Sequence, residues 1–115
     1  MPMNKASTVA EPGPGEFEFL ISGDIDMTDK ELSVFFIPAV LHASVDERNG
    51  WTYYCVGTSE FSYSVEPPGV QMTFDSVTSY LAARSIADIV LTNLKACGRN
   101  VDLQVLDKTK LYRTL

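Results

Sequence analysis

Residues 60–74 read EFSYSVEPPGVQMTF, and the spacing of their apolar side chains constrains the fold more than any other stretch. Phe61, Tyr63 and Val65 alternate with polar residues, Pro67-Pro68-Gly69 turns the chain, and Val70, Met72 and Phe74 alternate on the return. Successive side chains of a strand point to opposite faces, so a period of two gathers all six on one side of an antiparallel hairpin. A four-residue loop from Glu66 to Gly69 sets Val65 against Val70, Tyr63 against Met72, and Phe61 against Phe74. Ser62, Ser64, Gln71 and Thr73 take the other side. A ribbon that is apolar on one face requires a cover over that face.

The next segment supplies one. Asp75 or Ser76 is placed to cap a helix over 76–97, about 22 residues and roughly 33 Å long. Tyr80, Ala83, Ala87, Val90, Leu91 and Leu94 form its apolar stripe. Asp75 stands at the end that favours negative charge, Lys95 and Arg99 at the other, and Gly98 is placed to stop the helix.

Two further runs alternate: EFEFLIS, 16–22, and VDLQVLD, 101–107, both read as strands. Asn49-Gly50 between β-like runs is a strong hairpin signal. Loops of Asn49-Gly50 or of Glu47 to Gly50 give the same faces. Leu41, Ala43, Val45, Thr52, Tyr54 and Val56 share one, and His42, Ser44, Asp46, Trp51, Tyr53 and Cys55 the other. Segment 28–46 carries mixed signals. Thr28 and Glu31 fit a capping box, and apolar residues recur at helical spacing. Pro38 and several β-branched residues oppose one long helix. The combined reading is a short helical turn or strand over 29–36, a break at Pro38, and a strand over 39–46.

These elements define an α+β domain: an antiparallel sheet of five to six strands packed on one long C-terminal helix. Residues 16–115 form that single domain, and the Pro- and Gly-rich residues 1–15 read as a disordered tail. A chain of 115 residues, 45% hydrophobic, buries a real core without disulfides or metal. Cys55 and Cys97 read as reduced thiols, and two Cys with one His fall short of a structural zinc set. No cofactor or metal is expected. No run reaches the ~20 apolar residues of a membrane span, and the N-terminus lacks the apolar middle of a secretory signal. The expectation is a cytoplasmic protein that does not engage membranes.

The net charge of −6 is unevenly placed. Residues 11–75 hold twelve acids against two bases, Lys30 and Arg48. Residues 76–115 hold three acids, Asp88, Asp102 and Asp107, against six bases. The acidic portion repels phosphate backbones and attracts a basic partner, which argues against nucleic acid.

Four acids, Asp24, Asp26, Asp29 and Glu31, crowd SGDIDMTDKE. A calcium loop starting at Asp24 would have Asp29 where glycine is required and Phe35 where glutamate is required, which excludes an EF-hand. The bland reading is a solvated loop; the functional one is a patch that steers a basic protein. Trp51 and Tyr53, with His42 and Asp46 on the same face, suit rigid anchors of a binding surface, against the plainer reading of packing beneath a second layer. With the longer hairpin loop His42 and Cys55 are neighbours. No helix N-terminus stands beside Cys55 to activate it, so a small buried thiol is the reading.

The leading function is a small acidic non-enzymatic binding protein, of inhibitor, immunity or adaptor type, engaging a basic protein partner. Asp24, Asp26, Asp29 and Glu31 steer; Trp51, Tyr53, His42 and Asp46 anchor. One alternative is a small-ligand-binding domain or minor enzyme with a cavity between sheet and helix, lined by Tyr54, Tyr63, Met72 and Tyr80. Another is a structural subunit that self-associates as a homodimer.

Overall fold

In the computed structural model, which describes residues 11–23, 25, 36–66 and 69–108, Phe61 lies opposite Phe74, Tyr63 opposite Met72 and Val65 opposite Val70. This is the register that the alternation requires. Pairing runs one step further than expected, to Glu66 and Gly69. The elements in chain order are β1 (Phe17–Gly23), a 3-10 turn (Ala39–Leu41), β2 (Ser44–Arg48), β3 (Trp51–Val56), β4 (Ser59–Glu66), β5 (Gly69–Phe74), α1 (Tyr80–Ala96) and β6 (Val101–Asp107). The six strands form one antiparallel sheet in the order β2-β3-β4-β5-β1-β6, with one helix among the described residues. The α+β arrangement of the sequence reading is the arrangement found.

β2 and β3 join through the two-residue loop Asn49-Gly50, so Ser44 faces Cys55 and Arg48 faces Trp51. Asn49 and Gly50 have φ of 55° and 82°, the paired left-handed residues of a type I′ turn. β1 enters the sheet between β5 and β6, antiparallel to both. β5 and β6 are therefore parallel, and α1 is the crossover connecting them.

The helix starts at Tyr80, later than the 76 expected, and the reason lies in how Asp75 is used. Its carboxylate accepts from the backbone N–H of Val77 at 3.3 Å and of Thr78 at 2.9 Å, and from the Thr78 hydroxyl. Those bonds hold 75–78 as a turn with Thr78 buried, and the capping passes to Ser79, whose hydroxyl accepts from Ala82 at 3.2 Å. At the far end Gly98 N–H bonds the Lys95 carbonyl and Arg99 N–H the Leu94 carbonyl, the paired closure of a Schellman cap. The 17 residues of α1 span about 26 Å.

Ala83, Ile86, Ala87, Val90 and Leu94 of α1 are buried against the sheet. Facing them are Phe17, Phe19 and Ile21 of β1, Phe61 of β4, Val70, Met72 and Phe74 of β5, and Val101 of β6. Tyr80 sets its ring edge-on to Phe17 at 5.3 Å, and Phe19 meets Phe74 edge-on at 5.9 Å. Edge-to-face pairing adds a specific attraction to the burial of the rings.

The portion of this face beyond the helix is covered by residues 36–41. Phe36 is fully buried, with its ring 5.2 Å from Tyr63, and its carbonyl accepts from the Tyr63 hydroxyl at 2.8 Å. The strand expected over 39–46 begins only at Ser44. Extended Pro38 leads instead into a 3-10 turn that places Leu41 in the core, and His42 leaves it in the left-handed region with φ of 51°. Burial of Leu41 competes with extension of the chain here and wins. The capping box at Thr28 and Glu31 and the helical turn or strand expected over 29–36 fall, but for Phe36, outside the described residues.

Candidate functional site

Strand alternation sends one set of side chains to the core and the other to the opposite side of the sheet, over which the described residues place no second helix. On that open face stand Glu18, Leu20 and Ser22 of β1, Ser44, Asp46 and Arg48 of β2, and Trp51, Tyr53 and Cys55 of β3. Glu60, Ser62, Ser64 and Glu66 of β4, Gln71 and Thr73 of β5, and Asp102, Gln104 and Leu106 of β6 complete it. Its strand residues include five carboxylates, Glu18, Asp46, Glu60, Glu66 and Asp102, and one cation, Arg48. The helix presents the opposite sign: Arg84 and Lys95 against Asp88. Among the described residues, the open face thus gathers four acids of the early part of the chain with Asp102 from the late part.

Arg48 organises the β2–β3–β4 corner. Its Nη2 lies 2.6 Å from Glu60 Oε1 and its Nε 3.2 Å from Asp46 Oδ2, and its guanidinium carbon stands 4.1 Å from the centre of the Tyr53 ring. The Glu60 hydrogen bond, followed by the surrounding negative charge, pushes the Arg48 pKa up. One cation shared between two carboxylates leaves the corner negative. Cys55 Sγ lies 3.7 Å from Glu60 Oε2. Loss of water around the thiol, reinforced by the Glu60 charge, pushes its pKa up, so it stays protonated and acts as a donor. That is the reverse of an activated nucleophile.

Of the residues singled out in the sequence, Asp46, Tyr53 and Trp51 come together on this face. Trp51 is 58% exposed, directly across from Arg48. Tyr53 is half-buried beneath the guanidinium. His42 does not join them: it ends the 3-10 turn ahead of β2, and Ser44 takes the place opposite Cys55. The Cys–His adjacency is therefore absent. Asp24, Asp26, Asp29 and Glu31 lie outside the described residues.

Arg48 and Glu60 were not singled out. Their signal is present in VGTSEF: Gly57-Thr58 makes a two-residue turn, and counting back from it puts Glu60 beside Cys55. Among the described residues no three His, Cys, Asp or Glu side chains gather to hold a metal ion, and no helix is long and apolar enough to cross a membrane.

The residues proposed to line a cavity pack on rings and core instead. Tyr54 lies 5.8 Å from Phe61, Tyr63 against Phe36, Tyr80 against Phe17, and Met72 is fully buried. An open groove of about 370 Å³ lies elsewhere, between the outer flank of α1 and residues Pro38 and Val40, with Ile89, Thr92 and Ala96 along it.

A comparison with protein-family models, curated proteins and solved structures finds no match for the chain.

Proposed function

We propose that this protein is a small non-enzymatic binding protein that engages a basic protein partner through the open face of its sheet. The observation that carries the reading is the composition of that face: five carboxylates against Arg48 and, at Glu18, Lys108, with Trp51 standing 58% exposed at its corner. Charge of one sign on a rigid sheet raises the encounter rate with an oppositely charged surface, and a rigid indole supplies a desolvated anchor. Arg48 spaces the carboxylates and holds Tyr53 in place, so little ordering is required on association. An inhibitor, immunity or adaptor protein fits these features, because such proteins act by occupying a surface.

Affinity capture from the native host, with wild type and Trp51→Ala side by side, identifies the partner by mass spectrometry. The partner should be basic and should be lost on Trp51→Ala, a change expected to cost about 2 kcal/mol or more of binding energy. In purified form the association rate should fall steeply with salt, and Glu66→Lys with Asp102→Lys should flatten that dependence. A partner whose association ignores both salt and these charges overturns the reading.

A further inference from the structure

The sheet has two edges, and they differ. β6 is partly sheltered: Val101 is buried, Leu103 packs on the core, and Lys108 just beyond the strand bridges Glu18 at 2.9 Å. β2 is bare. All five of its residues are exposed, Val45 to 60%, and β3 is its one neighbour in the sheet. A bare edge offers unpaired backbone N–H and C=O groups to any extended chain that fits beside it.

We infer that β2 is a strand-addition site, at which an extended basic segment of the partner pairs with Ser44–Arg48 and lengthens the sheet by one strand. This rests on the reading above and names how the partner engages the acidic face. Charge selects the occupant. Asp46 and Glu47 are consecutive, so one carboxylate stands on each face of the edge, and Glu60 adds a second on the open face in the row of Ser44 and Cys55, with Arg48 as the single cation bridging it and Asp46. An acidic or neutral strand gains nothing from these groups, whereas a strand bearing two consecutive cations places one beside each.

A second copy of this chain is a poor occupant. In the full five-residue antiparallel register of a second copy Asp46 meets its own counterpart, and registers that avoid opposing like charges pair fewer of the five residues. In an antiparallel partner strand the order is fixed: cations opposite Glu47 and Asp46, then an apolar residue opposite exposed Val45. Backbone hydrogen bonds supply attachment, and the alternating side chains supply selectivity.

The probe is a blocked seven-residue peptide, Thr-Thr-Lys-Lys-Val-Thr-Val, beside the same peptide carrying N-methyl groups on alternate backbone nitrogens and one with both lysines replaced by glutamate. Binding is read by NMR titration of the intact protein, and hydrogen exchange follows the amides of 44–48. The expected result is binding of the lysine peptide with slowed exchange at those amides. Weakening should be about tenfold or more for whichever N-methyl register blocks the paired edge, for the glutamate peptide, and for wild-type peptide on D46K/E47K protein.

Equal binding of both N-methyl registers and the parent peptide overturns strand addition while leaving an acidic binding face intact. Failure of the lysine peptide to bind, while the captured basic partner does bind and depends on Trp51, overturns it likewise. Loss of Trp51 and salt dependence in the captured partner overturns the parent reading instead. A dimer joined through β2, seen by light scattering and abolished by D46K/E47K, also overturns the assignment of a foreign strand.

Discussion

The Tyr63 hydroxyl ties residues 36–41 to the sheet through one hydrogen bond to the Phe36 carbonyl, in surroundings poor in water. Tyr63→Phe keeps the ring contact and removes the bond, so stability should fall by about 1–2 kcal/mol in urea unfolding. The same residue carries a pH signature. Loss of solvent, then the nearby Tyr54, pushes the Tyr63 pKa well above its ordinary value of 10. A folded-state pKa above the unfolded one means that the unfolded chain releases the proton first. The stabilisation is complete below about pH 10 and is lost as pH rises from there toward the folded-state value. Wild type should therefore lose stability more steeply than Tyr63→Phe above that point, and urea midpoints from pH 8 to 11 check it.

Gly69 illustrates what residue-level reading missed. In the sequence it closes a Pro-Pro-Gly turn; in the fold it is already paired, between Glu66 on one side and Ser22 on the other. A methyl group there would press into the Ile21 carbonyl, with Ser22 Cα 2.9 Å away. Gly69→Ala should cost about 1–3 kcal/mol through displacement of β1, seen as a lower urea midpoint. The sequence could not reveal this, because the neighbour that forbids a side chain is about fifty residues distant and joins through pairing that no local pattern encodes.

At the level of elements, legibility followed locality. Both hairpins could be read because alternation sets their faces and a short connection sets their register, Asn49-Gly50 in one and the two positions between Glu66 and Gly69 in the other. The helix could be read from its stripe, but its start could not. Asp75, Ser76 and Ser79 all resemble caps, and the choice was made by a buried threonine. Ser79→Ala should lower stability by about 1 kcal/mol with the far-UV spectrum otherwise retained. An equal effect from Ser76→Ala and none from Ser79→Ala would return the helix start to 76. The 36–46 segment was hardest, since Leu41 and Phe36 are drawn into the core by a sheet surface assembled from other parts of the chain. The candidate site divided the same way: Asp46, Tyr53 and Trp51 followed from hairpin parity, whereas the Arg48–Glu60 bridge needed β4 in place beside β3.

At the scale of the molecule, the described residues place five carboxylates and Arg48 on the open face of the sheet, while α1 carries Arg84 and Lys95 against Asp88. Sequence order alone places acids early and bases late. Only the sheet order shows that Asp102, from the late part, joins the acidic side next to Ser22.

The seat of β1 between β5 and β6 has a consequence for biogenesis. The segment bearing Phe17, Phe19 and Ile21 is synthesised before the other described strands, yet the two that flank it are finished only when residues 74 and 107 have emerged. Until those strands are made, three large hydrocarbon side chains lack their sheet neighbours. Vectorial synthesis thus makes the first of the six described strands the last to be housed, and holdase chaperones would find their target in Phe17–Gly23.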